Sequence, residues 1–131
     1  MSYLVIGTGR SGIAAARLLA SEGKEVILYD DKEDIDKNAI SEKLDSSDNV
    51  TIYGGSIPDE PAAAVEEVVV SPGVPLDCDT VMYWKNRGIK IIGEVELAYE
   101  REKGVVAAIT GTNGKTTTTS LMGGIMKKKY S

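Results

Sequence analysis

The chain has 131 residues, 42% of them apolar and 27% charged, with 14 Gly and 4 Pro, the make-up of a folded globular chain of about one domain. It contains no His and a single Cys, Cys78, which excludes histidine-dependent catalysis, zinc clusters and an internal disulfide. The net charge of −5 is uneven: residues 1–93 hold 16 acids and 9 bases, residues 94–131 hold 4 acids and 6 bases, so neither half is basic enough to make nucleic acid an expected partner. No apolar run approaches the roughly 20 residues that span a bilayer, and the amino end lacks a secretory pattern, so a cytoplasmic protein without membrane partners is expected.

Taken in chain order, Tyr3–Ile6 is a short apolar run stopped by Gly7, and Ile13–Ala20 is rich in helix formers ending before Gly23, which predicts strand, turn and helix. Glu25–Tyr29 predicts a second strand running into Asp30-Asp31, and Asp34–Asp48, with Ile35, Ala39, Ile40 and Leu44 at helical spacing, a weak amphipathic helix. Val50–Tyr53 and Val68–Val70 predict the third and fourth strands, with residues 54–65 mostly irregular between them. A helix over Thr80–Arg87, closed by Gly88, leads to a fifth strand at Ile89–Ile92. Tyr83 and Trp84 are expected to shield the sheet, and Cys78 to be a small buried residue rather than a nucleophile. Apolar strands alternating with helices require a parallel sheet covered on both faces, so residues 1–93 are expected to form one doubly wound, Rossmann-like α/β domain of about five strands. Residues 94–131 then predict a helix over Glu94–Lys103, a buried strand over Val105–Thr110, a second glycine loop and a final helix: the opening of a second unit. In that last helix Leu121, Met122, Ile125 and Met126 are expected to fray, to dock back or to pack on a second copy.

Two loops carry chemistry. Gly7-Thr8-Gly9-Arg10-Ser11-Gly12 is a G-x-G-x-x-G between strand and helix, where glycines permit a tight turn and backbone N–H groups meet a phosphate at the helix N-terminus. Asp30 lies 18 residues after Gly12, where an acid often takes a ribose hydroxyl or a base edge. These features alone also fit an NAD(P)-binding module, or glycines that only pack helix on sheet. Gly111-Thr112-Asn113-Gly114-Lys115-Thr116-Thr117 opens the last helix in the manner of a nucleoside-triphosphate loop: amides cradle phosphates, Lys115 neutralises their charge, and the Thr116 hydroxyl reaches Mg²⁺. Ile109 stands where the general pattern has its first glycine. A stand-alone nucleotide-binding regulator remains an alternative on this loop by itself. Ser71-Pro72-Gly73-Val74-Pro75 follows the fourth strand, where it either presents a hydroxyl and amides to a ligand or simply turns. Glu94 and Glu96 suit the first turn of their helix through its dipole.

In combination, Gly7–Gly12, Asp30, Ser71-Pro72-Gly73-Val74, Gly93-Glu94-Val95-Glu96-Leu97 and Ile109–Thr116 resemble, over the whole chain, the Mur ligases of peptidoglycan and cell-wall biosynthesis, within them the D-glutamate-adding branch. Asn113 stands where the alanine-adding sister usually has histidine. The resemblance implies an ATP-dependent, amide-forming ligase using Mg²⁺, whose substrates are UDP-N-acetylmuramoyl-L-alanine and D-glutamate. The substrate carboxylate takes the γ-phosphoryl group, and the amine of D-glutamate then displaces phosphate. It further implies that Gly9, Arg10, Ser11 and Gly12 take the diphosphate, that Asp30, Asp31 and Lys32 border the uracil, and that Ser71 and Gly73 line the same cleft. Gly111, Thr112, Asn113, Gly114, Lys115, Thr116 and Thr117 would hold ATP, with Thr116 toward the metal and Lys115 catalytic. Such ligases have three domains, so these 131 residues alone are expected to be an N-terminal part without turnover.

Overall fold

A computed structural model of the chain describes residues 2–45 and 47–130. It separates into two compact units, Met1–Arg101 and Glu102–Ser131. The first is built from β1 (Ser2–Ile6), α1 (Arg10–Ser21), β2 (Glu25–Asp30), α2 (Lys37–Lys43), β3 (Val50–Gly54), α3 (Asp59–Ala63), β4 (Val65–Val70), α4 (Asp79–Asn86), β5 (Lys90–Gly93) and α5 (Glu94–Arg101). The five strands form one parallel sheet in the order β3-β2-β1-β4-β5, the doubly wound arrangement expected.

Period-two alternation sorts the apolar residues of each strand onto two faces. Tyr3 and Val5 of β1, Val26 and Leu28 of β2, Val69 and Ile92 join Ile13, Ala16, Leu19, Ile40, Leu44 and Leu97 in one core layer. Leu4, Ile6, Ile27, Tyr29, Val68 and Val70 join Val81 and Trp84 in the other. Tyr3–Ile6 of β1 and Val68–Val70 of β4 read as unbroken apolar runs because both faces of the sheet are covered there. Of the expected aromatic shield, Trp84 is buried while Tyr83 stays exposed and meets it edge-on, 5.1 Å between ring centroids. Cys78 is half-buried against the second layer.

Several elements depart from expectation. Within residues 54–65, expected to be mostly irregular, the short helix α3 forms, with Pro61 in its first turn, where a missing N–H costs nothing. The helix after Gly93 ends at Arg101 and belongs to the first unit, whose core buries its Leu97. Arg101 Nε donates to Glu22 at 2.7 Å, and Lys90 Nζ bridges Glu67 at 2.7 Å and Glu100 at 3.0 Å. These pairs fasten α5 beside β5 and the end of α1. The first compact unit therefore includes α5 and runs to Arg101.

In the second unit the expected strand at Val105–Thr110 does not form; these residues carry no ladder and Val105 is fully exposed. A strand exists only by pairing, and its run of apolar residues supplies no hydrogen-bond partner of its own. α6 (Lys115–Tyr130) does form, with Leu121, Met122, Ile125 and Met126 exposed.

Candidate functional site

The order β3-β2-β1-β4-β5 places the chain reversal between β1 and β4, and the crevice at the carboxyl ends of such strands is where open α/β sheets take ligands. The Gly7–Gly12 loop leaves β1 there, and Ser71-Pro72-Gly73 leaves β4 beside it, with Ser71 N donating to Ile6 O at 3.0 Å.

The three glycines of the first loop do separate work. Gly7 has φ +110°, a conformation that disfavours any side chain, and a Cβ there would stand 2.9 Å from the Ser71 side chain. A Cβ on Gly12 would lie 1.9 Å from Gly7 O, so its absence lets α1 close onto the loop. A Cβ on Gly9 would meet nothing within 4 Å. Gly9 is also the N-cap of α1, with no side-chain cap and no acidic residue in the first turn. The leading N–H groups of α1 thus face open space with the positive end of the helix dipole behind them, a geometry suited to an anion.

Arg10 and Ser11 are exposed at that helix end. A cavity of about 660 Å³ opens beside it, lined by Thr8, Gly9, Arg10, Arg17, Lys43 and Asp45 among others. Arg17 and Lys43 had not been singled out in the sequence. Arg17 follows Arg10 at a seven-residue helical interval, but Lys43 comes from α2, and only tertiary folding brings the three cations together. Asp45 offsets part of their charge by pairing with Arg17 at 2.5 Å.

Asp30 ends β2 and holds the loop. Its Oδ2 accepts from the Thr8 hydroxyl at 2.7 Å and the Thr8 amide at 3.1 Å, and its Oδ1 from the Lys32 amide at 3.2 Å. Partial burial opposes ionisation of Asp30, but the Thr8 and Lys32 donors outweigh it and hold the carboxyl below its ordinary value. Asp31 Oδ1 accepts from the Thr80 hydroxyl at 2.7 Å and lies 2.9 Å from the Tyr29 hydroxyl. Burial, then the hydrogen bond with Asp31, pushes the Tyr29 phenol up. Both carboxylates are thus engaged within the chain, while the Lys32 side chain is exposed.

Ser71 is buried, and its hydroxyl donates to Glu94 Oε1 at 2.5 Å. Gly73 is exposed with open space over its Cα. Glu94 and Glu96 both stand in the first turn of α5. All nine residues expected around the first ligand lie in the first unit, at or near the carboxyl edge of β1, β2 and β4.

The second loop lies in the second unit. Gly111 and Gly114 have φ +153° and +78°, and Lys115 starts α6 with its Nζ donating to Gly111 O. Space over Gly114 is open, no acid occupies the first turn, and Thr112, Thr116 and Thr117 are exposed. Amides, one ammonium and hydroxyls, with no carboxylate between Gly111 and Thr117, make a donor set that fits a polyphosphate. Among the described residues no cluster of His, Cys, Asp or Glu could hold a metal ion. Among the same residues no helix is long and apolar enough to cross a membrane.

Residues 1–93 match the family described as Mur ligase MurD-like, N-terminal domain. A UDP-N-acetylmuramoylalanine–D-glutamate ligase of Lachnoclostridium phytofermentans is 53% identical over 127 residues, which are 97% of this chain and 28% of that protein. The protein of the same name from Caldicellulosiruptor bescii is 48% identical over 135 residues, again 28% of its length. This chain therefore spans a little over a quarter of the curated relatives it matches. Among solved structures, a murein peptide ligase from Psychrobacter arcticus superposes with a TM-score of 0.67 at 25% identity, over 97% of this chain and 26% of that one. A pseudomurein peptide ligase type C from Methanothermus fervidus does so with a TM-score of 0.59 at 26% identity, over 98% and 26%. The glycine-loop fold and these likenesses agree, and the chain belongs to the Mur ligase family, with a MurD-like N-terminal domain over residues 1–93.

Proposed function

We propose that the first unit holds the uridine diphosphate part of UDP-N-acetylmuramoyl-L-alanine, within a ligase that joins D-glutamate to that substrate at the expense of ATP. The observation that carries this reading is the open N-terminus of α1: Gly9 is unobstructed, no side chain caps the helix, and no acid stands in its first turn. The amides at Gly9, Arg10, Ser11 and Gly12 take the diphosphate, with the Arg10 guanidinium adding charge. Asp30, Asp31 and Lys32 border the uracil, the two carboxylates through edges left by their internal bonds, and Ser71 and Gly73 line the sugar side. Gly111, Thr112, Asn113, Gly114, Lys115, Thr116 and Thr117 hold the phosphates of MgATP. ATP supplies the γ-phosphoryl group that converts the substrate carboxylate into an acyl phosphate, and the D-glutamate amine then displaces phosphate to form the amide. Lys115, as a fixed cation, stabilises the charge that develops during transfer. The names and extent of the relatives support this reading, and the cytoplasm, where nucleotide-linked precursors and ATP meet, is its setting.

Calorimetric titration of the 131-residue chain with UDP, UDP-N-acetylmuramoyl-L-alanine and NAD tests it. Tighter binding of the uridine ligands is expected, unchanged in Lys115→Ala; tighter binding of NAD would replace the reading with that of a dinucleotide module.

A further inference from the structure

Ser71, at the end of β4, lies directly against the glycine loop. Its Cβ and Oγ occupy the space that a Cβ on Gly7 would need, and its Oγ also stands 2.9 Å from where a Cβ on Gly12 would be. Ser71 is therefore the floor under both ends of the G-x-G-x-x-G turn. Its hydroxyl could rotate among acceptors, and one acceptor fixes it: Glu94 Oε1, at 2.5 Å, from a residue 23 positions later on α5. Glu94 is half-buried, in the first turn of a helix anchored by the buried Leu97 and by Arg101 to Glu22. A charged acceptor on a rigid helix is worth more than a neutral one and holds its donor more narrowly.

We propose that Glu94 is a positioning residue for the anion site: through the Ser71 hydroxyl it sets the geometry of the Gly7–Gly12 turn, and hence the aim of the leading amides of α1. It touches no ligand in this role. The assignment as an anion site rests on the uridine diphosphate reading above, whereas the mechanical link from Glu94 to the loop does not. The dipole role expected of Glu94 needs only a negative charge near the helix end, whereas the role inferred here needs an acceptor oxygen against Ser71. Glu94→Gln separates the two, because the amide keeps an acceptor oxygen and loses the charge.

Two measurements on the 131-residue chain test the link. In the ligand-free protein, ¹H–¹⁵N spectra of Glu94→Ala should show shifted or broadened amide signals for Thr8–Gly12, and Glu94→Gln should restore them. UDP affinity by calorimetry should fall about tenfold in Glu94→Ala, the scale of a hydrogen bond to a charged group. It should recover to within about threefold in Glu94→Gln, and Ser71→Ala/Glu94→Ala should bind no worse than Ser71→Ala alone. Unmoved loop amides in Glu94→Ala, or equal effects of Ala and Gln at position 94, would overturn the positioning role even if UDP binds well. Loop amides that respond as expected in a chain that does not bind UDP would leave the link standing and refute the uridine diphosphate reading instead. An additive loss in the double variant would assign Glu94 a role independent of Ser71 and overturn the inference.

Discussion

The molecule contains the same device twice, a glycine turn feeding a helix, in two different settings. The turn of the first unit is held from outside its own sequence: Asp30 latches Thr8 from β2, Ser71 supports Gly7 and Gly12 from the end of β4, and α1 lies over a buried core. The turn of the second unit is held by its immediate neighbours, Lys115 on Gly111 O and Thr118 N on Gly114 O at 3.0 Å. The contrast separates what a phosphate loop owes to local sequence, its positive φ angles and its cation, from what it owes to packing, its rigidity. A turn with only local contacts has lost little conformational entropy beyond that of its own backbone, so more of that cost falls on ligand binding.

Glycine substitutions test this contrast most severely. Gly12→Ala sets a methyl group 1.9 Å from a backbone oxygen in a buried turn, and a loss of about 4 kcal/mol or more, or failure to fold, is expected. Gly9→Ala, three residues earlier and in open space, should leave stability within about 0.5 kcal/mol of the parent while weakening UDP binding. Gly114→Ala is strained by φ +78° but meets no neighbour, so its cost of about 1 kcal/mol stays local to the start of α6. Trp84, the only tryptophan and buried in the first unit, reports the urea transition of that unit. A mild Gly12→Ala, matching Gly9→Ala, would mean that the two turns are held alike.

The next effect in size addresses where the first unit ends. Leu97→Ala removes a side chain that is 1% exposed, and a loss of about 3 kcal/mol in the Trp84 transition is expected. Leu121→Ala, at 65% exposure, should change it by less than about 0.5 kcal/mol. Equal small effects would detach α5 from the first unit and return the boundary to Gly93.

Those two leucines also mark how far the sequence could be read. The five strands were legible as short, largely apolar runs, the first glycine loop by its spacing, and the second by Gly114-Lys115-Thr116 ahead of a helix, although Ile109 breaks the general pattern. α3 was not, since Pro58 and Pro61 look like breakers until one sees that Pro61 falls in a first turn. The Val105–Thr110 run has the composition of a strand, but a strand is a relation between two segments and the second is not specified by the first. Leu97 carries α5 into the core alone among its neighbours, too sparse a pattern to reveal which unit owns the helix. At the site, the residues themselves were visible, Asp30 and Ser71 among them, and the contacts that tie them to the glycine loop and to α5 were not. Thr8–Asp30 spans 22 positions and Ser71–Glu94 spans 23; no local period encodes either.

The smallest effect concerns the latch itself. Asp30 is only partly buried, so solvent screens much of its interaction, yet the direction is fixed. Its folded-state carboxyl titrates below its ordinary value, the Thr8 and Lys32 donors outweighing the opposing effect of burial. The folded chain therefore holds this proton less tightly than the unfolded chain. The stabilisation is fully present above the unfolded value, near about pH 4, and is lost as pH falls through the folded one. Asp30→Asn should accordingly be less stable than the parent at neutral pH, with the gap closing below about pH 4. Thr8→Val, which removes the hydroxyl but keeps the amide, should move the Asp30 titration, followed by carboxyl ¹³C shifts, partway back toward the ordinary value. A parent Asp30 that titrates above that value would show burial prevailing over the donors. The charge of Asp30 would then add nothing to the latch, and the difference between the two glycine loops would rest on Ser71 and on the packing of α1.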